Sequence, residues 1–294
     1  MRAQRCEVLN SRSGQREDLG AGAAGSLFCI SMPLRIFQVD AFTDRPFAGN
    51  PAAVCILPKP RSARWMQKVA REMNLSETAF LVRRRGGFAL RWFTPTVEVD
   101  LCGHATLASA HILWQERHLR PDQEARFFTR SGLLTARRRG AWIELDFPAE
   151  PVRRGRAPRR LMEALGITPV YVGRNRFDYL VELKNEAAVR RLSPDLSLLK
   201  IVGARGVMVT GRASSPRFDF VCRFFGPSVG IDEDPVTGSA FCALAPFWAK
   251  RLGKESMLAY QASARGGVVR CAVRGDRVLI AGKAVTTLRA ELLV

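Results

Sequence analysis

The stretch RWFTPTVEVDLCGHATLASA, residues 91 to 110, has a second copy in the same chain, RFFGPSVGIDEDPVTGSAFCALA, residues 223 to 245. Arg, an aromatic residue, Phe, Pro and Val recur in step. After a three-residue insertion in the second copy, Gly103 falls on Gly238, Ala105 on Ala240, Ala108 on Ala243 and Ala110 on Ala245. That offset of 135 (238 minus 103) also carries Gly132 onto Gly267 and Arg139-Gly140 onto Arg274-Gly275. An internal repeat sets the fold before any motif is read, and here it predicts two halves of like topology.

Each half reads as strands with one apolar helix, an α+β pattern. FALRWF places Phe88, Leu90 and Trp92 on one face of a half-buried strand, and the RGG before it suits a hairpin turn. SARWMQKVAREMN spaces Trp65, Met66, Val69, Ala70 and Met73 helically, with Ser62 as N-cap and Asn74 as stop, so this amphipathic helix belongs on the outside. From His104 to Trp114 small and apolar residues occupy nearly every face. Such a helix is buried all round. The simplest fold curls a mainly antiparallel sheet around it, with the helix from Ser239 playing the same part in the other half and Pro246 ending or bending it early.

The length of 294 residues, with 47% hydrophobic and 9% aromatic residues, favours two domains of about 150 residues each. The expected boundaries are a disordered tail over 1–31, an N-terminal domain over 32–150 and a C-terminal domain over 151–294, whose last strand can return to the first domain. The longest apolar run, around ATLASAHILW, falls well short of the roughly 20 residues of a bilayer span, so no membrane association is expected. Seven scattered cysteines without a C-x-x-C pair argue against a disulfide scaffold and a structural zinc site. Reduced thiols and the lack of a secretory signal point to the cytoplasm. The net charge of +19 collects in RRR at 83–85, RRR at 137–139 and RRGRAPRR at 153–160. Neighbouring Gly and Pro put these runs on turns or linkers, and no aromatic residues interleave with them, which disfavours nucleic-acid binding. An interaction protein that offers a basic surface to an acidic partner stays open as a non-enzymatic alternative.

In both halves the central helix begins with Gly and a hydrogen-bonding side chain, Gly103-His104 and Gly238-Ser239. Glycine permits close backbone approach, and helix N-termini attract anions. Two such ends facing each other would hold a carboxylate. The bland alternative makes His104 and Ser239 ordinary first-turn residues. Neither His111 nor His118 is spaced to complete a metal site with His104. Cys102 precedes the first helix and Thr237 the second. A threonine hydroxyl is too weakly acidic to match a thiolate, so a two-thiol racemase is disfavoured.

DAFTDRPFAGNPAAVCIL, REMNLSETAFLV, RWFTPTVEVDLCGHATLASA and DEDPVTGSA, in that order, resemble the signature segments of the phenazine biosynthesis-like protein family, its animal members in particular. The founding enzyme of that family is an isomerase of phenazine biosynthesis. The resemblance runs from about Leu34 to the C-terminus. It implies a diaminopimelate epimerase-like fold of two pseudo-symmetric domains, each with a sheet around a central helix, and a cofactor-independent isomerase acting on a small carboxylate-bearing metabolite. It implies Glu77 as the residue that shuttles the proton, with His104, Asp234 and Ser239 at further active-site positions, and a homodimer is expected. Without the resemblance, Glu77 reads as a solvated carboxylate, Asp234 as an acid favoured by a helix dipole and Cys102 as an inert buried thiol. The second half has no acid around GARGVMVTG to match Glu77. One base on one face suits a proton shift on an unsaturated substrate. The pairing of Cys102 with Thr237 is also similar to dehydratases related to proline racemases, which is the enzymatic alternative. Phe241, where relatives often carry a smaller or polar residue, is expected to narrow the cleft or to wall it.

Overall fold

A computed structural model of the chain describes residues 34 to 294; the tail expected over 1–31 lies outside the described residues. The first half comprises β1 (Leu34–Ala41), β2 (Asn50–Leu57), α1 (Ala63–Met73), β3 (Glu77–Arg84), β4 (Gly87–Phe93), β5 (Glu98–Val99), α2 (Gly103–Gln115), β6 (Ala125–Thr129), β7 (Gly132–Arg139) and β8 (Trp142–Pro148). The second comprises β9 (Arg153–Arg154), α3 (Arg159–Leu165), β10 (Tyr171–Arg174), β11 (Asp178–Glu182), α4 (Glu186–Arg191), α5 (Leu196–Lys200), β12 (Gly206–Arg212), β13 (Phe220–Gly226), β14 (Ile231–Asp234), α6 (Gly238–Leu252), β15 (Ser256–Gln261), β16 (Gly267–Arg274), β17 (Arg277–Gly282) and β18 (Ala284–Leu292).

The pairings repeat as the sequence does. β2 runs parallel to β3 and β11 to β12; β3 is antiparallel to β4 and β12 to β13. β4 runs parallel to β6 and β13 to β15, after which β6–β7–β8 and β15–β16–β17 form antiparallel meanders. The fold is α+β with two pseudo-symmetric halves of the diaminopimelate epimerase-like kind. β8 and β17 pair with each other, Leu145 opposite Ile280, and join the halves. The strand that follows each meander crosses over: β9 pairs with β10 and β18 with β1.

Helix α1 is capped as its sequence predicts, with the Ser62 hydroxyl accepting from the Trp65 amide and Asn74 closing the helix at φ 48°. Its buried Met66, Val69 and Ala70 pack over Phe80 and Phe93. Phe88, Leu90 and Trp92 of β4 are all buried, again as the alternation predicts. Helix α2 is buried on every face, and its polar residues satisfy themselves locally: Thr106 donates to the Cys102 carbonyl and Ser109 to the Ala105 carbonyl. Both central helices belong to one core cluster that spans the two halves.

Three expectations need correction. Pro246 does not end α6, which continues to Leu252 and is closed by Gly253 in the left-handed conformation. An interior proline costs about 3 kcal/mol. Burial of Phe247 and Trp248 just beyond it, with the Trp248 ring stacked on Phe220 and its Nε1–H donating to Thr210 Oγ1 at 2.9 Å, offsets that cost. Phe241 does not face a cleft: it is 0% exposed and packs in the core with its ring 6.1 Å from Phe220. The arginine runs are exposed but sit largely on strand ends, Arg83–Arg84 in β3 and Arg137–Arg139 in β7, because the outer face of a one-sided strand carries charge as readily as a turn does.

Candidate active site

Adjacent parallel strands β2 and β3 bring their first residues, Asn50 and Glu77, to the same edge of the sheet. Helix α2 starts beside them. Its second residue, His104, places Nε2 3.0 Å from Glu77 Oε2. On the other side of the ring Nδ1 lies 3.5 Å from Cys102 Sγ and 3.2 Å from Asn50 Nδ2. Glu77 and His104 are 8% and 4% exposed.

The second half contributes Asp234, the last residue of β14 and 7% exposed. Its Oδ1 accepts from Asn50 Nδ2 at 2.7 Å and its Oδ2 from Thr237 Oγ1 at 2.6 Å. Asn50 Nδ2 also donates to the Val236 carbonyl at 2.9 Å, and its Oδ1 accepts from Ser76. An amide nitrogen carries two hydrogens. The two shorter bonds to Asp234 and Val236 take both, which leaves His104 Nδ1 to Cys102. His104 Nε2 and Glu77 Oε2 are buried and lie in ion-pair range of each other without the alignment of a hydrogen bond, so each is left without a hydrogen-bond partner among the described residues. Gln261, fully buried, holds the Thr237 amide with Oε1 and the Asp234 carbonyl with Nε2.

The two helix N-termini abut. A Cβ added to Gly103 would lie 3.2 Å from Gly238 Cα, and one on Gly238 would lie 3.2 Å from Gly103 Cα. That close approach favours glycine at both, since a Cβ on either would press the other helix end back by a few tenths of an ångström. Ser239 beside them is half-buried and, among the described residues, makes no side-chain hydrogen bond, so its hydroxyl is free to meet a ligand.

Burial dominates the electrostatics. It pushes Asp234 up to about 6, opposed by His104 and by the hydrogen bonds from Thr237 and Asn50. It pushes the Cys102 thiol up to about 11, with the Glu77 carboxylate adding to the rise. For His104 burial disfavours the charged ring, but Cys102 and Glu77 outweigh it, and its pKa lies well above the ordinary 6.5.

Glu77, Cys102 and His104 offer donor atoms within 4.8 Å of one another, the one such group of three among the described residues. The thiol lies on the Nδ1 side of the ring and the carboxylate on the Nε2 side. A single ion binds only one ring nitrogen, so the two flanking groups address opposite sides of the ring.

The structure thus brings together Glu77, His104 and Asp234 with Gly103, Gly238 and Ser239. Register also explains why the second half lacks an acid: Thr78 pairs with Phe93 as Val207 pairs with Phe225, so Gly206 occupies the place of Glu77. A side chain at Gly206 would collide with the Phe224 ring. Sequence reasoning missed Asn50, which ties the halves together, and Gln261, which holds the turn from Asp234 to Thr237 within the second half. A polar amide opening the apolar run NPAAVCIL is the only signal that marks Asn50.

The family described as phenazine biosynthesis-like protein matches residues 39–290. A protein of Halalkalibacterium halodurans named as an uncharacterized isomerase is 56% identical over 90% of this chain and 100% of its own length. The mouse phenazine biosynthesis-like domain-containing protein 1 is 41% identical over 89% of this chain and 99% of its own, so bacterial relatives exceed the animal ones that the motifs brought forward. The crystal structure of an Enterococcus faecalis phenazine biosynthesis protein superposes with a TM-score of 0.86 at 41% identity, covering 90% of this chain and 100% of that one. A probable proline racemase of Agrobacterium radiobacter, 13% identical with a TM-score of 0.59 over 89% of this chain and 93% of that one, shares the fold alone.

Proposed function

The chain belongs to the phenazine biosynthesis-like protein family and is an enzyme of its isomerase class; within that class we propose that Glu77 moves a proton between two carbons on one face of a small unsaturated carboxylic acid, without a cofactor. The observation that carries this reading is the broken symmetry of the site. Glu77 stands at the start of β3, and its counterpart position in the repeat is Gly206. A racemase needs a base on each substrate face, whereas a shift along one face needs one.

In the proposed step the Glu77 carboxylate takes a proton from the carbon next to the double bond. The C–H electron pair becomes the new π bond, the old π pair moves to the far carbon, and the protonated Glu77 delivers its proton there. His104, with Nε2 3.0 Å from Oε2, favours the charged carboxylate before the first transfer and after the second. The abutting N-termini of α2 and α6 bind the substrate carboxylate, with Ser239 adding a hydroxyl. Asp234 assists through Asn50 and Thr237 by fixing the wall opposite His104.

The dehydratase alternative draws less support. It needs a reactive thiol at Cys102, which burial pushes up to about 11, and a free hydroxyl at Thr237, which is engaged with Asp234.

Incubation of the protein with a panel of unsaturated carboxylic acids in deuterated water, read by mass spectrometry, tests the proposal. Deuterium should enter one carbon of an isomerised product with the wild type and not with Glu77→Gln. Undiminished exchange in Glu77→Gln would refute it.

A further inference from the structure

A cavity of about 470 Å³ opens between the loop Thr43–Ala48, the segment Arg217–Phe218 and the strands β15 and β16. None of Asn50, Glu77, His104 and Asp234 lines it. Two backbone hydrogen bonds wall it off, from the Gly49 amide to the Gly266 carbonyl at 2.7 Å and from the Val268 amide to the Phe42 carbonyl at 2.9 Å.

Five cations line this cavity, Arg45, Arg190, Arg217, Arg265 and Lys283, against one acid, Asp44. Three of the five are already paired: Lys283 with Asp44 at 3.0 Å, Arg265 with Asp40 at 2.9 Å and Arg190 with Glu186 at 2.7 Å. Arg45 and Arg217 have no carboxylate within salt-bridge distance among the described residues. With the outside partners Asp40 and Glu186 included, five positive charges meet three negative ones, a surplus of two (5 minus 3). The paired cations are held in place, Arg265 also donating to the Gly49 and Ala48 carbonyls. The two unpaired arginines come from loops of different halves and both line the cavity.

We infer that this cavity is a binding site for a small phosphate monoester, separate from the catalytic cluster. The volume lies in the range of small-molecule sites, about 300–1,000 Å³. A phosphate monoester carries about −1.5 to −2 charges near pH 7, which matches the surplus of two, and guanidinium forks fit its oxygens. The lining also offers the Trp142 indole to an organic group on that phosphate. Because Gly49 precedes Asn50 and is bonded to Gly266, an occupant here braces the same inter-half seam that Asn50 spans on its other side.

Isothermal titration of the full chain with phenyl phosphate tests the site, with benzoate as a singly charged ligand of the same ring. Phenyl phosphate should bind saturably and at least tenfold tighter than benzoate. The double variant Arg45→Ala/Arg217→Ala should weaken it tenfold or more, as loss of charge-assisted hydrogen bonds demands. Both side chains are exposed, so thermal stability should stay unchanged. The Glu77→Gln variant should bind phenyl phosphate as the wild type does. The inference is overturned by absence of binding, by equal affinity for benzoate, or by binding that survives the double arginine variant and is lost in Glu77→Gln, which would place the phosphate in the catalytic cleft.

Discussion

Asp234→Asn should leave the protein more stable than the wild type near pH 7.5 and less stable near pH 4. In the folded chain burial raises Asp234 from its ordinary 3.8 to about 6. Between those values the folded state holds a proton that the unfolded state has released, so unfolding free energy falls as pH rises through this window. The stabilising contribution is fully present below about pH 3.8 and lost above about pH 6. The full span is about 3 kcal/mol, most of which lies between pH 4 and pH 7.5. Asparagine has no proton to lose and does not carry this penalty. It keeps the bond from Asn50 Nδ2 to Oδ1, but its amide nitrogen faces Thr237 Oγ1, which already lies 3.2 Å from Gln261 Nε2. Rearranging that hydroxyl costs about 1 kcal/mol. The variant should therefore be about 1–2 kcal/mol more stable at pH 7.5 and about 1 kcal/mol less stable at pH 4, while isomerisation slows because the site loses its charged form. Urea unfolding of both proteins at half-unit pH intervals reads the difference. A stability difference that stays flat across that range would show that Asp234 is not held neutral by burial and would remove the physical basis of the argument.

Three further substitutions probe the same cluster. Asn50→Ala removes the donor to Asp234 and Val236, should destabilise by about 1–3 kcal/mol in urea unfolding, and should move the acid limb of the pH–rate profile upward because a bond that lowers the Asp234 pKa is lost; rescue by Asn50→Gln is not expected, since the longer side chain overshoots Asp234. Gly238→Ala puts a methyl 3.2 Å from Gly103 Cα; alanine is a better helix former than glycine by about 1 kcal/mol, so the melting temperature should hold while KM rises as the two helix ends part. Cys102→Ser should keep most of the isomerase activity, because the thiol is neutral and the proposed base is Glu77; a loss of a thousandfold with intact folding would favour the dehydratase reading instead.

Much of this architecture is legible in the sequence because it is local. Ser62 and Asn74 bound α1 through contacts no more than four residues away, the alternation of FALRWF fixes the buried face of β4, and the apolar wrap of residues 104–114 can only be a helix buried on all sides. What stayed illegible is long-range. Asn50 meets Asp234 across 184 residues of sequence, and nothing in GNPAAV tells an amide that joins two halves from one that caps a turn. Pro246 misleads for the same reason, since the packing of Trp248 on Phe220 and Thr210 that carries the helix past it comes from other strands. Phe241 misleads likewise: it stands three residues, about 4.5 Å, down α6 from the helix's first residue, and there its ring is buried in the core.

The repeat itself shows how such a scaffold acquires a direction. Two equal halves give two helix N-termini, which the glycine pair brings into contact, and that much is symmetric. The side chains gathered at the site break that symmetry: Glu77 stands against Gly206, Cys102 against Thr237 and His104 against Ser239. The break at Gly206 is enforced by packing, because the Phe224 ring fills the space a side chain would need there. Restoring a second base would thus require emptying that space as well as adding an acid. Gly206→Glu alone should unfold the second half's sheet rather than create a racemase, whereas the same change in a Phe224→Ala background removes the collision and is the variant in which two-face exchange should be sought.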